Sequence, residues 1–166
     1  MTKKNESIKY LLIDMDGTVR DTIPAPTPSN PNDRRPPFLE EEVKIIDGVP
    51  EKLQEWVDKG WQIIGVSNQS GVEKRVVTEE QVEIVAAHTM DLMGIYFPFY
   101  FAPNKRDKNS NKLHLRKPET GMALEAINDW GKMDAEESFM VGDYITDNQF
   151  ADNLGIRYVD IKDFLK

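Results

Sequence analysis

Apolar residues in this chain fall into short unbroken runs, and between the runs they recur at helical spacing. The first run, in Leu11–Val19 (LLIDMDGTV), meets two aspartates spaced one apart and then Gly17. Short apolar runs closed by turn signals predict buried strands. Ile63–Val66 in QIIGVSNQSG and the start of FMVGDYITD at Phe139 read the same way. Ile95–Phe101 predicts an aromatic strand that Pro98 weakens or pushes toward an edge, and Ile156–Asp160 predicts a last strand. The intervening stretches predict helices. Pro50–Lys59 places Leu53, Trp56 and Val57 on one face and stops at Gly60. Thr78–Met93 opens with Thr78 and Gln81 at capping-box spacing and sets Val82, Val85, Ala86 and Met93 on a helical period before Gly94. Glu119–Trp130 aligns Ala123, Ile127 and Trp130, and Asp147–Leu154 is stopped by Gly155. The alternation predicts an α/β fold with a mainly parallel sheet flanked by helices.

One segment breaks the pattern. Arg20–Glu42 carries six prolines between Pro24 and Pro37, so it is neither a helix nor a central strand. Long irregular loops in compact domains are usually functional or disordered. This one follows the first strand directly. Residues 20–42 are expected to be a flap or specificity loop, the alternative being a mobile surface loop.

Candidate chemistry gathers at the predicted strand ends. In an open α/β sheet, ligands bind beyond the carboxyl ends of the strands. Asp14 and Asp16 lie there, and i, i+2 residues point the same way if the chain stays extended. Two adjacent acids repel unless a cation or a shared proton compensates; alone, the pair would equally suit an Asp-Gly turn. Ser67-Asn68-Gln69-Ser70-Gly71 offers hydroxyl, amide and backbone N–H groups to an oxyanion. In RKPETGM, Lys117 is biased to extended backbone by Pro118, which is expected to open a helix at its first turn. A cation fixed just before a helix start is well placed to meet a phosphate. Asp143 and Asp147 supply the oxygen donors that magnesium prefers.

Composition narrows the class. A chain of 166 residues is expected to be one domain able to bury a real core. A hydrophobic content of 39% with 30% charged residues fits a soluble globular protein, and the apolar runs fall far short of a membrane span. MTKKNESIKY is not followed by a signal-peptide core. With no cysteine there are no disulfides and no thiolate metal sites, which fits a cytoplasmic location. A net charge of −8 argues against a broad nucleic-acid surface. A membrane partner is not expected, and the assembly is expected to be a monomer or small homo-oligomer.

Acid pair, hydroxyl, lysine, acid pair, in that order from Asp14 to about Asp147, resembles the haloacid dehalogenase (HAD) superfamily of phosphohydrolases. IIDGVPEKLQEW, VSNQSGV and RKPETGM are most similar to its histidinol-phosphate and heptose-bisphosphate phosphatase subfamily (subfamily IIIA). RKPETGM also resembles the 3′-phosphatase domain of polynucleotide kinase-phosphatases. The resemblance implies a Rossmann-like core with Asp14 as nucleophile and Asp16 as general acid and base. It implies that Ser67 and Lys117 hold the phosphoryl oxygens. Magnesium would sit on an Asp14 carboxylate oxygen, the Asp16 main-chain carbonyl and Asp143, with Asp147 binding it directly or from behind. Thr18, Asn68, Gln69 and Arg116 become candidate substrate contacts. An acid at position 16 favours a phosphatase over a dehalogenase or phosphonatase.

About fifty residues separate Asp16 from Ser67, and about fifty separate Ser67 from Lys117. A helix, a strand and a loop already fill each interval, so no separate cap domain is expected. The zinc loop of the resembling phosphatases falls here on Ala102, Asn104, Leu113 and Leu115, so no structural zinc is expected. His114 lies between the leucines and His88 in the preceding helix; neither makes a zinc site. Residues 102–117 instead carry Lys105, Arg106, Lys108, Lys112, Arg116 and Lys117. With Lys74, Arg75, Arg34 and Arg35 they could form a basic rim that focuses anions, the alternative being a solvated loop. The expected function is a magnesium-dependent phosphomonoesterase that uses a phosphoaspartyl intermediate on a small phosphorylated metabolite of the sugar or histidinol-phosphate type. The alternative is a polynucleotide 3′-phosphatase, and a non-catalytic regulator is a third reading.

Overall fold

The computed structural model describes residues 6–104 and 114–166. In chain order the elements are β1 (Tyr10–Ile13), β2 (Ile23–Pro24), β3 (Arg34–Arg35), α1 (Val49–Asp58), β4 (Gln62–Asn68), α2 (Glu79–Met93), β5 (Phe99–Ala102), α3 (Gly121–Trp130), β6 (Phe139–Gly142), α4 (Ile145–Leu154), β7 (Arg157–Asp160) and α5 (Ile161–Phe164). Five strands form one parallel sheet in the order β5-β4-β1-β6-β7.

Strand β1 is buried on both faces, as a strand inside a parallel sheet should be. Its alternation splits the core in two. Leu11 and Ile13 join Val49 and Leu53 of α1, Met90 of α2 and Ile161 and Phe164 of α5. Tyr10 and Leu12 join Met122, Ala123 and Ala126 of α3 and Phe150 and Ala151 of α4. The sheet is thus covered by helices on both sides. β4 pairs with one edge of β1 and β6 with the other, so the strand order reverses at β1. In sheets of this kind ligands bind at that point, beyond the carboxyl ends of the strands.

Several boundaries differ from the sequence expectation, each for a packing reason. Strand β5 begins only after Pro98 and is an edge strand; the Pro98 carbonyl instead accepts from Gly65 N at 2.9 Å. Ser67 lies inside β4, paired in register with Phe101, rather than past its end. Pro118 does not open α3. The helix starts at Gly121, whose N–H donates to the His114 carbonyl at 2.9 Å so closely that a Cβ would collide with it. The Lys117–Pro118 peptide is cis. Helix α4 starts two residues early, at Ile145, which places Asp147 in its first turn.

The proline-rich segment is more ordered than its composition suggests. β2 and β3 pair as a minimal antiparallel ribbon. The segment's two ends are tied together by Ile46 N donating to Val19 O and Asp21 N to Lys44 O, both at 2.9 Å. On the return leg Glu42 pairs with Arg35 and accepts from the N–H groups of Phe38 and Leu39. Arg35 also stacks over the Phe38 ring at 4.4 Å, and Gln81 of α2 donates to the Phe38 carbonyl at 3.0 Å. Of the side chains expected in the basic rim, Arg35 pairs with Glu42 within its own loop and Arg34 donates to the Thr22 carbonyl at 2.6 Å. Lys105, Arg106, Lys108, Lys112 and Leu113 lie outside the described residues. Among the described residues, no helix is long and apolar enough to cross a membrane.

Candidate active site

The chain just after β1 makes a tight loop in which the N–H groups of Thr18, Val19 and Arg20 all point at the Met15 carbonyl. That loop sends Asp14 and Asp16 into different surroundings. Each acid has its own cation, rather than one cation or proton between them.

Lys117 serves Asp14. Its buried ammonium donates to Asp14 Oδ1 at 2.8 Å, Asp147 Oδ1 at 2.7 Å and the Val66 carbonyl at 3.1 Å, which uses all three N–H groups. Burial works against the charge on Lys117, but the two carboxylates outweigh it and raise its pKa. Asn68 holds the lysine's backbone from β4. Its Oδ1 accepts from Lys117 N at 2.9 Å and its Nδ2 donates to Lys117 O at 3.2 Å. Asn68, expected as a substrate contact, thus clamps the main chain of Lys117.

Thr18 is fully buried, and its hydroxyl reaches Asp143 Oδ1 at 3.0 Å and Asp14 Oδ2 at 3.4 Å. It bridges the two acids. Asp147 is anchored on both oxygens: Oδ1 on Lys117, Oδ2 accepting from Asp143 N and Tyr144 N at 3.2 Å each. The second pair caps the start of α4, where backbone N–H groups lack helical partners.

Asp14, Asp143 and Asp147 each offer an oxygen within 4.8 Å of the others. Two glycines make that approach possible. A Cβ on Gly17, whose φ is +83°, would collide with the Asp143 carboxylate, and one on Gly142 with that of Asp147. Burial holds the Asp14 carboxyl well above the usual range; Lys117 pulls it down, and Asp147 pushes it up. Three acids facing one lysine leave an excess of negative charge on hard oxygen donors, which fits magnesium. Asp143 is exposed and Asp14 has a partly free oxygen, so these two are the donors with capacity to spare.

Asp16 belongs to a second network. Its Oδ1 accepts from Arg20 Nε at 2.7 Å, and its Oδ2 from Gln69 Nε2 at 2.8 Å and, loosely, from Ser67 Oγ at 3.4 Å. Gln69 Nε2 also reaches Ser67 Oγ at 2.8 Å. Gln69 and Ser67 are both buried and face Asp16. Arg116 differs from these: its Nη1 is buried with no hydrogen-bond partner among the described residues. Sequence reasoning missed Arg20 and Thr89. The one available signal was a cation four residues after Asp16, the spacing of a local ion pair.

The family model described as polynucleotide kinase 3 phosphatase matches residues 9–164. A probable D-glycero-D-manno-heptose-1,7-bisphosphate 7-phosphatase of Thermoplasma volcanium is 34% identical over 140 residues, 82% of this chain and 86% of that one. The histidine biosynthesis bifunctional protein of Legionella pneumophila is 31% identical over 157 residues, 92% of this chain but 41% of that one. Among solved structures, a D,D-heptose 1,7-bisphosphate phosphatase from B. bronchiseptica, complexed with magnesium and phosphate, superposes with a TM-score of 0.71 at 17% identity. That match covers 91% of this chain and 79% of the other. The chain belongs to the polynucleotide kinase 3 phosphatase family and is a phosphatase of the haloacid dehalogenase type.

Proposed function

We propose that the protein hydrolyses a phosphomonoester of a small sugar-type metabolite, with Asp14 as nucleophile. The observation that carries the substrate class is the match along most of both chains to the heptose-bisphosphate phosphatase of T. volcanium. Asp14 attacks phosphorus in line, forming a phosphoaspartyl enzyme as the ester P–O bond breaks. Asp16 protonates the departing oxygen and then takes a proton from the water that hydrolyses the acyl phosphate. A carboxylate facing a phosphate dianion meets repulsion of about 4 kcal/mol per unit-charge pair at 4 Å and an effective dielectric of about 20. Lys117 offsets part of it and holds Asp14 in place, and it gives up its longest contact, the Val66 carbonyl at 3.1 Å, to meet a phosphoryl oxygen. Ser67 and the main-chain N–H groups beyond β4 face the other oxygens. The unpartnered Nη1 of Arg116 supports a substrate anion beside Lys117. Magnesium would be held by Asp14, Asp143 and the Asp16 carbonyl, with Asp147 fixing the loop behind them, and would supply charge neutralisation and orientation of the phosphoryl group.

The family model's description favours a second reading, a polynucleotide 3′-phosphatase. A panel separates the two. Phosphate release is measured with and without magnesium on sugar mono- and bisphosphates, histidinol phosphate, nucleotides and a 3′-phosphorylated oligonucleotide, with Asp14→Asn as the inactive control. The expected result is magnesium-dependent release, fastest from a sugar phosphate. Fastest release from the oligonucleotide, falling steeply with salt, would replace the first reading by the second.

A further inference from the structure

Among the described residues, Arg20 is the largest side chain with essentially no exposure, 1%. An arginine is rarely buried this deeply unless its charge and N–H groups are met, because removing the ion from water costs several kcal/mol. Its two contacts are specific. Nε donates to Asp16 Oδ1 at 2.7 Å, and Nη1 donates to Thr89 Oγ1 at 2.8 Å. Thr89 is itself fully buried in α2 and spends its hydroxyl proton on the Val85 carbonyl at 2.7 Å. Its oxygen is therefore left as an acceptor pointed at the guanidinium. The backbone of Arg20 is fixed as well: its carbonyl accepts from Gly17 N at 2.8 Å and its N–H donates to Met15 O at 3.1 Å.

A guanidinium is a rigid planar fork, so fixing Nη1 on α2 fixes the direction of Nε–H. Asp16 then meets a fixed donor on one oxygen and the Gln69 amide on the other. Its carboxyl plane is determined, and its remaining lone pairs point in set directions. We infer that Arg20 is a positioning residue that, held by Thr89, aims the Asp16 carboxyl at the leaving-group oxygen. The inference rests on the reading of Asp16 as general acid and base. It adds a device outside the four motifs, which ties the acid to helix α2 on the far side of the loop.

The test compares two leaving groups. p-Nitrophenolate departs without needing a proton, whereas the alkoxide of a sugar phosphate needs one as it leaves. Losing an aimed acid therefore slows the sugar phosphate far more than p-nitrophenyl phosphate. Kinetics are measured with saturating magnesium on p-nitrophenyl phosphate and on the sugar phosphate hydrolysed fastest in the panel. The proteins are wild type, Asp16→Asn, Arg20→Met, Arg20→Lys and Thr89→Val. Asp16→Asn sets the scale: its kcat/KM ratio, sugar to aryl, which reports ester cleavage rather than the shared hydrolysis of the acyl phosphate, should fall at least about a hundredfold. Arg20→Met should lower the same ratio at least about tenfold. Arg20→Lys should recover part of the ratio, and Thr89→Val should lower it a few-fold. If Arg20→Met does not fold, Thr89→Val decides, because it keeps the ion pair and removes only the oxygen that orients it. Equal loss on both substrates, or an unchanged ratio, in whichever variant decides would overturn the inference. If Asp16→Asn itself shows no bias, the assignment of Asp16 fails and the inference falls with it.

Discussion

At the scale of single residues, the site is an arrangement of charges in low dielectric, and Lys117 is its centre. Its side chain is 2% exposed and contacts Asp14 and Asp147 directly. Removing one partner of a buried ion pair leaves the other uncompensated, so Lys117→Met should cost about 3–5 kcal/mol at neutral pH, measured by urea unfolding. The deficit should narrow as the pH is lowered, because Asp14, whose carboxyl burial already holds above the usual range, takes up a proton and relieves the charge that the missing cation leaves unbalanced. A deficit that grew on acidification would contradict the assignment of these three side chains to one cluster. The motif residues themselves were legible in the chain, since their types and order carry the chemistry. Their partners were not. Nothing in VSNQSGV says that Asn68 will spend both ends of its amide on the backbone of a lysine 49 positions later.

At the scale of elements, strands and helices follow the apolar periodicity because burial on a sheet and on a helix impose different repeats. Boundaries moved where a contact from elsewhere intervened, as at Gly121 against the His114 carbonyl and at Pro98 beside Gly65. The proline-rich segment shows how side chains can order a loop that backbone propensity leaves irregular. Its return leg depends on Glu42, whose carboxyl the Arg35 hydrogen bond lowers from the ordinary 4.5 to about 2. A depressed carboxyl stabilises the folded state above its unfolded pKa and loses that contribution as pH falls through the folded one. Glu42→Gln should therefore lower the urea midpoint at neutral pH, and the difference from wild type should shrink from about pH 4.5 downward and vanish near pH 2. A difference that persisted at pH 2 would mean that shape, and not charge, anchors the leg.

For the whole molecule, the parallel sheet and its strand order decide where the chemistry meets. Asp14, Asp16, Ser67, Lys117, Asp143 and Asp147 come from four separate stretches and converge at the carboxyl ends of β1, β4 and β6. A site assembled from so many elements links ligand binding to global stability. Magnesium and phosphate together, at about a hundred times their apparent dissociation constant, should add about 2.7 kcal/mol. For a domain of this size that is roughly 5–10 °C in melting temperature, read by calorimetry and reversed by chelation. No shift with either component would argue against the acid cluster as a metal site. The sequence by itself determined the fold class, most of the helices and strands, and which acids, hydroxyl and lysine are the candidates for the chemistry, because periodicity and turn chemistry are local properties. Only the tertiary structure decided that Lys117 pairs with Asp14 and Asp147 while the buried Arg20 pairs with Asp16. Those pairings depend on which distant side chains share a low-dielectric interior, and no local pattern encodes that.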